Sequence, residues 1–229
     1  MALHEWFSRK AVLGRITMFL SVITPATLVA FVAGVLAWGA FNWGLEVTNR
    51  QAFCISCHEM RDNVYREYTT KGHYSNRTGV RATCPDCHVP REWLPKVVRK
   101  IRASNELVHW LLGSISTKEK FEKKRGALAV HVWRSMRASD SHECRNCNDD
   151  AAMNERVQKP LATGMHSLGS GWDMTCIDCH KGIVHSLPAG ISGNAWLEPI
   201  HDRIEKEKVQ CHLCHKNLTR PAKGDDWSN

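Results

Sequence analysis

The sequence predicts a mostly helical, loop-rich fold, with a single N-terminal transmembrane helix followed by a domain organised around cysteine motifs. Three observations lead to this prediction. A window without charged residues runs from Ile16 to Leu45. All ten cysteines of the 229 residues fall into five pairs, each with two residues between its members. No segment shows the alternation of a strand, whereas two long segments in the middle of the chain carry helical periodicity.

Four of the five cysteine pairs are followed at once by histidine, which is the attachment signature of c-type haem. The thiols add to the haem vinyl groups, and the adjacent histidine reaches the iron from the same side. In the third pair, Asn148 stands at the histidine position. The sequence therefore predicts four or five covalently attached haem c groups, with the domain packed around them. The motif residues are Cys54, Cys57 and His58; Cys84, Cys87 and His88; Cys144 and Cys147; Cys176, Cys179 and His180; Cys211, Cys214 and His215.

Other uses of cysteine and charge fit the sequence less well. A disulfide scaffold needs neither a regular spacing nor a following histidine. Structural zinc sites pair such motifs with one another, whereas these motifs are spread along the chain. The formal net charge of +8 is compatible with nucleic-acid binding, but 13 histidines, nine tryptophans and a membrane segment argue against that partner. Haem propionates would also cancel part of this charge.

Residues 1–46 are predicted to form a cytoplasmic stub and a membrane anchor. About 20 apolar residues span a bilayer as a helix, and Pro25 is expected to kink this one. A cleaved signal peptide is the alternative, but the apolar stretch is longer than a signal core. Basic residues before the span place the N-terminus in the cytoplasm. We therefore expect a single-pass protein of the bacterial inner membrane with its cysteines in the periplasm, where c-type haem is attached.

The remainder of the chain divides into a haem domain and a tail. Residues 47–190 are predicted to form the periplasmic domain, and residues 191–229 a short tail with the last motif. Within the domain, residues 47–90 and 139–187 are expected to consist of loops and short turns. The segment Pro188–Asn194 contains two glycines and a proline and is expected to mark the boundary.

Two long helices are predicted between the second and third motifs. The first runs from Pro95 to about Ile115. The second continues to about Ala138 and opens with a capping box formed by Ser116 and Glu119. The first helix carries an apolar stripe that consists of Val97, Val98, Ile101, Leu107, Val108, Leu111 and Leu112.

Ordered matches over roughly residues 10–190 make the chain resemble the NapC/NirT family of membrane-anchored periplasmic multihaem cytochromes, which includes the NrfH partners of nitrite reductases. The resemblance is greatest to the NapC branch. It implies a protein that takes electrons from quinol and passes them to a periplasmic terminal reductase. It rests on the anchor and on the segments Cys54–Met60, Cys84–Pro90, Glu92–Lys96, Glu143–Cys147 and Cys176–His185.

The resemblance also implies axial ligands for the iron atoms. A haem iron takes two of them, and their identity sets much of its potential. The family's distal histidines correspond to His73, His166 and His185. In the NrfH branch the methionine two places beyond the first motif is the ligand, so Met60 and His58 both remain candidates here.

The chain departs from the family pattern at the third and fifth motifs. Asparagine is a poor iron ligand, so three explanations are open for the third motif. It binds haem with a substitute ligand such as His142 or His131, it binds no haem, or the sequence is altered at Asn148. The attachment machinery usually needs the histidine, which weighs against an ordinary third haem. The fifth motif lies beyond the usual tetrahaem unit, and His201 is the candidate for its second ligand.

The leading functional hypothesis is a quinol dehydrogenase, with menaquinol or ubiquinol as the donor. The resemblance points to Lys96 and Glu106 as the quinol-binding residues. Periplasmic nitrate reductase is the first choice of partner, and nitrite, N-oxide and S-oxide reductases stay open. The alternatives are a multihaem reductase that acts on a small nitrogen oxide at the Asn148 site, and a membrane-bound structural or metal-storage protein. Whether the protein forms a homo-oligomer, and whether it counts as an enzyme in its own right, are left open.

Overall fold

The computed structural model of the chain describes residues 24–191 and 198–213. Over these two ranges the backbone forms helices, turns and loops and no strand, which confirms the mostly helical fold class. The chain divides into two compact units between Thr48 and Asn49. The helices are α1 (Pro25–Val47), α2 (Gln51–Cys54), α3 (Arg66–Tyr68), α4 (Cys84–His88), α5 (Trp93–Leu111), α6 (Lys118–Ala138), α7 (His142–Arg145), α8 (Pro160–Gly171), α9 (Cys176–Cys179) and α10 (Glu198–Lys206), with a π-helical segment at Met60–Tyr65 and 3₁₀ turns at Asp150–Ala152, Glu155–Val157 and Cys211–Leu213.

Helix α1 is the apolar helix that the sequence predicts near the N-terminus. An 18-residue stretch of this 23-residue helix has a mean hydropathy of 1.7, and at 1.5 Å per residue the whole helix spans about 35 Å, which exceeds the hydrocarbon thickness of a bilayer. Thr24 caps the helix, because its hydroxyl accepts from the amide of Thr27 at 3.3 Å. Pro25 occupies the first helical position, where no amide hydrogen is needed, so the predicted kink at Pro25 is wrong. The predicted cytoplasmic stub lies outside the described residues.

Helices α5 and α6 correspond to the two long helices predicted from periodicity. Helix α5 ends earlier than predicted, because Gly113 has a positive φ of 64° and turns the chain there. The predicted capping box at Ser116 and Glu119 is wrong by one position. Thr117 is the N-cap residue, and its hydroxyl accepts from the amide of Lys120 at 3.3 Å.

The segment between α6 and the fourth motif contains a helix that the sequence analysis missed. Residues 139–187 were expected to be loops, but α8 spans 12 of them. Three of these residues are glycine, namely Gly164, Gly169 and Gly171, and glycine is among the poorest helix formers. Pro160 starts the helix at a position that suits its fixed φ.

The domain from residue 49 onwards has a sparse apolar core. Apart from Pro85 and Pro188, its buried apolar side chains within the described ranges are Tyr68, Phe121, Ile177 and Ile200. Polar contacts instead connect the helices. Arg137 of α6 donates to Asp178 of α9 at 2.6 Å, and Trp172 beside α8 donates to Glu207 beside α10 at 2.7 Å. A core with so few buried aliphatic side chains fits a chain that packs around large apolar cofactors.

Candidate haem sites

The second and fourth cysteine motifs begin with the same local structure. Each starts a short helix at a threonine N-cap, and the aspartate between the two cysteines closes a capping box. The Asp86 carboxylate accepts from the Thr83 amide at 2.8 Å, and the Asp178 carboxylate accepts from the Thr175 amide at 2.9 Å. Because residues three apart share one face of a helical turn, both thiols of each motif point to one side. The motif sequence itself therefore places both attachment thiols on one side of the short helix.

The third motif is positioned by a different device. Its helix α7 begins after Ser141, which is fully buried and has a left-handed backbone with φ 49°. The Ser141 hydroxyl is hydrogen bonded to the Thr175 hydroxyl and accepts from the Ile177 amide at 3.1 Å. Ser141 thus joins the start of the third motif directly to the start of the fourth.

Cysteine side chains bring consecutive motifs together in pairs. The Cys54 thiol lies beside the Cys84 thiol, and the Cys144 thiol lies beside the Cys176 thiol. The neighbouring Cys84 thiol lowers the pKa of Cys54 to about 7, and the neighbouring Cys144 thiol lowers that of Cys176 to about 6.

Cys87 of the second motif lies near the third motif. Burial raises the pKa of Cys87 to about 11, and the nearby Cys147 contributes to the rise. The first four motifs therefore neighbour one another in sequence order, with the Asn148 motif between the second and the fourth. The nine cysteines among the described residues form no disulfide.

Two histidine pairs have the spacing of axial ligands on one iron. The rings of His88 and His185 are stacked, with centroids 6.3 Å apart and planes 25° from parallel. A metal–imidazole bond of about 2 Å on each side, with each centroid roughly 1 Å behind its nitrogen, gives a separation of about 6 Å. Burial lowers the pKa of His88 to about 4 and also lowers that of His185. Both rings are thereby held neutral, which is the form that binds metal.

The second pair consists of His166 on α8 and His180 of the fourth motif, with ring centroids 6.1 Å apart and planes 37° from parallel. His166 Nδ1 lies 2.8 Å from the Gln158 side-chain oxygen. Since that oxygen can only accept, Nδ1 carries the hydrogen and Nε2 keeps its lone pair. Burial lowers the pKa of His180, and the nearby His166 and His73 lower it further. The structure thus brings His73 into the same neighbourhood.

A buried ion pair holds the backbone beside His185. Arg125 on α6 is 8% exposed and donates to Glu67 at 2.7 Å and to Glu122 at 2.8 Å. Glu67 accepts from the Ser186 amide at 2.9 Å, while Arg125 reaches the Ser186 carbonyl at 3.3 Å. We name this arrangement of Glu67 and Arg125 around Ser186 the Ser186 clamp. It fixes both polar groups of the residue that follows His185, so it determines where that ring points.

The first motif differs from the others at its histidine. His58 Nε2 lies 3.1 Å from the carboxylate of Glu59, which is buried and also accepts from Trp110 at 3.1 Å. Met60 begins the π-helical segment, a geometry that is frequent at functional sites. A cavity of about 280 Å³ adjoins this region, and its lining includes His58, Glu59, Asn63 and Lys118.

The structure does not bring together the two residues expected to bind quinol. Lys96 and Glu106 lie ten positions apart on α5, which corresponds to about 15 Å along the helix axis. The Glu106 carboxylate is exposed and paired with Arg99 at 2.9 Å.

Three residues bear on the missing histidine of the third motif, namely Asn148 and the two predicted substitutes, His142 and His131. Asn148 is exposed and its side-chain amide donates to the Cys144 carbonyl at 3.3 Å. His142 is hydrogen bonded to Glu92 at 2.9 Å, which raises the pKa of His142 above its ordinary value. His131 is exposed in the middle of α6.

The fifth motif is described only in part. Cys211 is exposed, and His201 lies on the exposed side of α10. Cys214 and His215 lie outside the described residues. His201 therefore stays a predicted second ligand on the sequence argument alone.

Paired thiols and facing neutral histidines fit covalent haem. Thioether formation needs two thiols on one face of a turn, as α4 and α9 provide, and each iron needs two nitrogen or sulfur donors. Glu59, Glu67 and Arg125 were not predicted from the sequence. Only Glu59 had a local signal, since it follows the first motif directly, whereas Glu67 is 58 residues from Arg125 and 119 residues from Ser186.

Comparison with known proteins yields one family and several named relatives. The model of the NapC/NirT cytochrome c family, N-terminal region, matches residues 17–190. The denitrification system component NirT of Stutzerimonas stutzeri is 56% identical over 165 residues, which are 72% of this chain and 82% of that protein. The cytochrome c-type protein NapC of Paracoccus pantotrophus is 52% identical over 206 residues (88% and 85%), and NapC of Escherichia coli K12 is 52% identical over 161 residues (70% and 80%). No solved structure matches the chain.

Proposed function

Because the chain belongs to the NapC/NirT cytochrome c family, we propose that this membrane-anchored multihaem cytochrome oxidises quinol and donates the electrons to a periplasmic terminal reductase. Multihaem attachment, electron transfer and membrane anchoring follow from the family and from helix α1. The proposal adds the donor, the acceptor and the orientation, with the N-terminus in the cytoplasm and the haem domain in the periplasm.

The observation that carries the proposal is the sequence-ordered contact between motifs. Cys54 of the first motif lies beside Cys84 of the second. Cys87 of the second motif lies near Cys147 of the third, and Cys144 of the third lies beside Cys176 of the fourth. When bound, haem supplies one-electron redox chemistry. The chain sets the spacing of the haem attachment points. Electron transfer over the length of the domain requires a continuous series of such points.

We propose axial ligands from the geometry and from the family resemblance together. His88 with His185, and His180 with His166, are proposed as two complete pairs because their ring spacing fits one iron each. At the first motif Met60 is proposed as the protein ligand, with His58 as the alternative, because His58 Nε2 lies 3.1 Å from the Glu59 carboxylate.

For the remaining motifs the ligands stay predictions. His73 stays a proposed distal ligand without an assigned motif, and His142 and His131 stay the proposed substitutes at the third motif. His215 and His201 remain the proposed pair of the fifth motif.

Quinol oxidation also requires groups that bind the quinol head and accept its protons. Lys96 and Glu106 keep this role as a proposal from the resemblance. The structure adds Glu59, a buried carboxylate that lines the cavity beside the first motif. Trp110 holds this carboxylate in place from α5. We propose that Glu59 binds a hydroxyl of the quinol head in that cavity.

The partner is proposed by class. Nitrate reductase stays the first choice, and the relative named a denitrification system component supports a nitrogen-oxide reductase. Direct reduction of a nitrogen oxide at the Asn148 site is the second candidate, because Asn148 is exposed. Turnover of nitrite or hydroxylamine by the isolated protein, without a partner, would favour the second candidate.

The proposed donor is tested by mixing the holoprotein in vesicles with menaquinol and following the haem absorption. We expect prompt reduction in the native protein and slower reduction in the Glu59→Gln variant. Glu119→Gln, at an exposed glutamate of α6, serves as the control and should behave as the native protein does. An intact holoprotein that neither menaquinol nor ubiquinol reduces would contradict the proposal.

A further inference from the structure

Helix α5 presents its apolar side away from the rest of its domain. At about 100° per residue, one side of the helix includes the polar residues Asn105 and His109. The same side carries five apolar residues, namely Leu94, Val98, Ile101, Val108 and the C-cap residue Leu112. We name these five residues the α5 apolar face. All of them are exposed, and Ile101 is 67% exposed.

In the first half of α5 the polar side faces inward instead, whereas beyond Ala103 the helix is exposed all round, including Leu107 and Leu111. Arg99 donates from Nε to the His88 carbonyl at 3.2 Å, and Lys100 is close enough to Cys54 to lower the pKa of that thiol. Lys96, Arg99 and Ala103, on the side opposite the α5 apolar face, are all half-buried. The first two haem motifs therefore lie against the polar side, and the apolar face is turned away from these attachment points.

This orientation is the reverse of that of an ordinary surface helix, whose apolar stripe packs on the core and whose charges face water. Exposing an apolar stripe to water is unfavourable, so an outward stripe this long indicates that another surface covers it. The charge on the outward half of α5 is Arg102, a cation. An apolar strip with a cationic margin is the pattern of a helix that lies in the interface of a bilayer with anionic headgroups.

We propose that the α5 apolar face lies in the membrane interface, parallel to the bilayer, as a second membrane contact in addition to the anchor. The occupant is lipid, because the chain is already tethered to a bilayer and because the charge at the margin of the face complements anionic phosphate. This contact holds the first two motifs, which the inward side of α5 touches, next to the membrane surface. It does not depend on which molecule reduces the protein.

The test places a photo-reactive residue on the face of the full-length holoprotein. Ile101→p-benzoylphenylalanine protein is reconstituted in vesicles of phosphatidylethanolamine and phosphatidylglycerol and illuminated, and the α5 peptide is analysed by mass spectrometry. The control is Leu128→p-benzoylphenylalanine, at a leucine of α6 that is 42% exposed and outside the face. Haem absorption shows that both variants are folded, which is expected because both positions are exposed.

We expect a lipid adduct on the Ile101 variant and none, or at least several-fold less, on the Leu128 variant. A cross-link between two copies of the chain at position 101 would assign the face to a protein interface and overturn the proposal. Equal lipid labelling at the two positions would overturn it as well, and so would the absence of any adduct at position 101.

Discussion

Replacing Arg125 by leucine is expected to destabilise the haem domain by about 3 kcal/mol. Removing one member of a buried ion pair costs about 3–5 kcal/mol, because the other charge is left without a partner. The low end applies here, since Glu67 is 20% exposed and Glu122 is more exposed still. Leucine retains much of the packing against Phe121, whose ring lies 4.9 Å from the guanidinium carbon.

The loss is measured as the shift of the guanidinium chloride midpoint of unfolding, followed by visible absorption. With a denaturant slope of about 2–6 kcal/mol per M, a loss of about 3 kcal/mol moves the midpoint down by roughly 0.5–1.5 M. The matched control is Arg66→Leu. Arg66 is 76% exposed and its nearest carboxylate oxygen, on Asp62, is 3.8 Å away, so the expected change is within about 0.5 kcal/mol.

The Arg125→Leu variant should also change the environment of His185. Without the guanidinium, the Ser186 clamp keeps only the bond from the Ser186 amide to Glu67. We expect a fraction of high-spin iron in the visible and electron paramagnetic resonance spectra, because the ring is no longer held in one position. An unchanged midpoint together with an unchanged spectrum would refute the role given to this ion pair.

Three further predictions follow from the site. Asn148→His should add one haem to the intact mass, because histidine supplies the iron ligand that asparagine lacks; an unchanged mass would contradict this. His185→Gly should yield high-spin iron that added imidazole returns to low spin, and no spectral response to imidazole would count against His185 as a ligand. Burial raises the pKa of Glu67, but the bonds from Arg125 and Ser186 lower it more, to a net value below its ordinary one. The stability that Glu67 contributes is therefore present above about pH 4.5 and is lost as the pH falls through the lowered pKa. The Glu67→Gln variant lacks this titration, so its unfolding midpoint should depend less on pH in the acid range than that of the native protein. Identical pH dependence in the two proteins would refute this role of Glu67.

Periodicity and spacing predict the helices and the attachment points because both depend on residues that are close in sequence. Helices α5 and α6 were predicted within a few residues of their observed limits, and the family comparison confirms multihaem attachment. Helix α8 was missed because its glycines weaken the local signal. Pro25 was expected to be a kink because a sequence does not show on which side of a helix start a proline falls.

Contacts over long sequence separations could not be predicted in this way. Periodicity groups the apolar residues of α5 on one side, but it does not show that this side is turned away from the motifs. The Ser186 clamp joins Glu67, Arg125 and Ser186, which are separated by 58 and 61 residues. The distance between Lys96 and Glu106 follows from the structure, in which both lie on the continuous helix α5. The burial of Glu59 and its hydrogen bond from Trp110 also follow from the structure and not from the sequence.

The most direct test of the proposed function is a reconstitution of the whole electron path. Vesicles that contain the holoprotein and menaquinol are supplied with purified periplasmic nitrate reductase on the outside, and nitrite formation is measured. The account predicts nitrite formation that requires both the quinol and this protein. Two controls are required: the reductase must be active with an artificial donor, and the holoprotein must have its full haem content. If both are met and no nitrite forms, electron donation to this partner is contradicted. If the same vesicles also leave the haem absorption unreduced, quinol oxidation itself is contradicted.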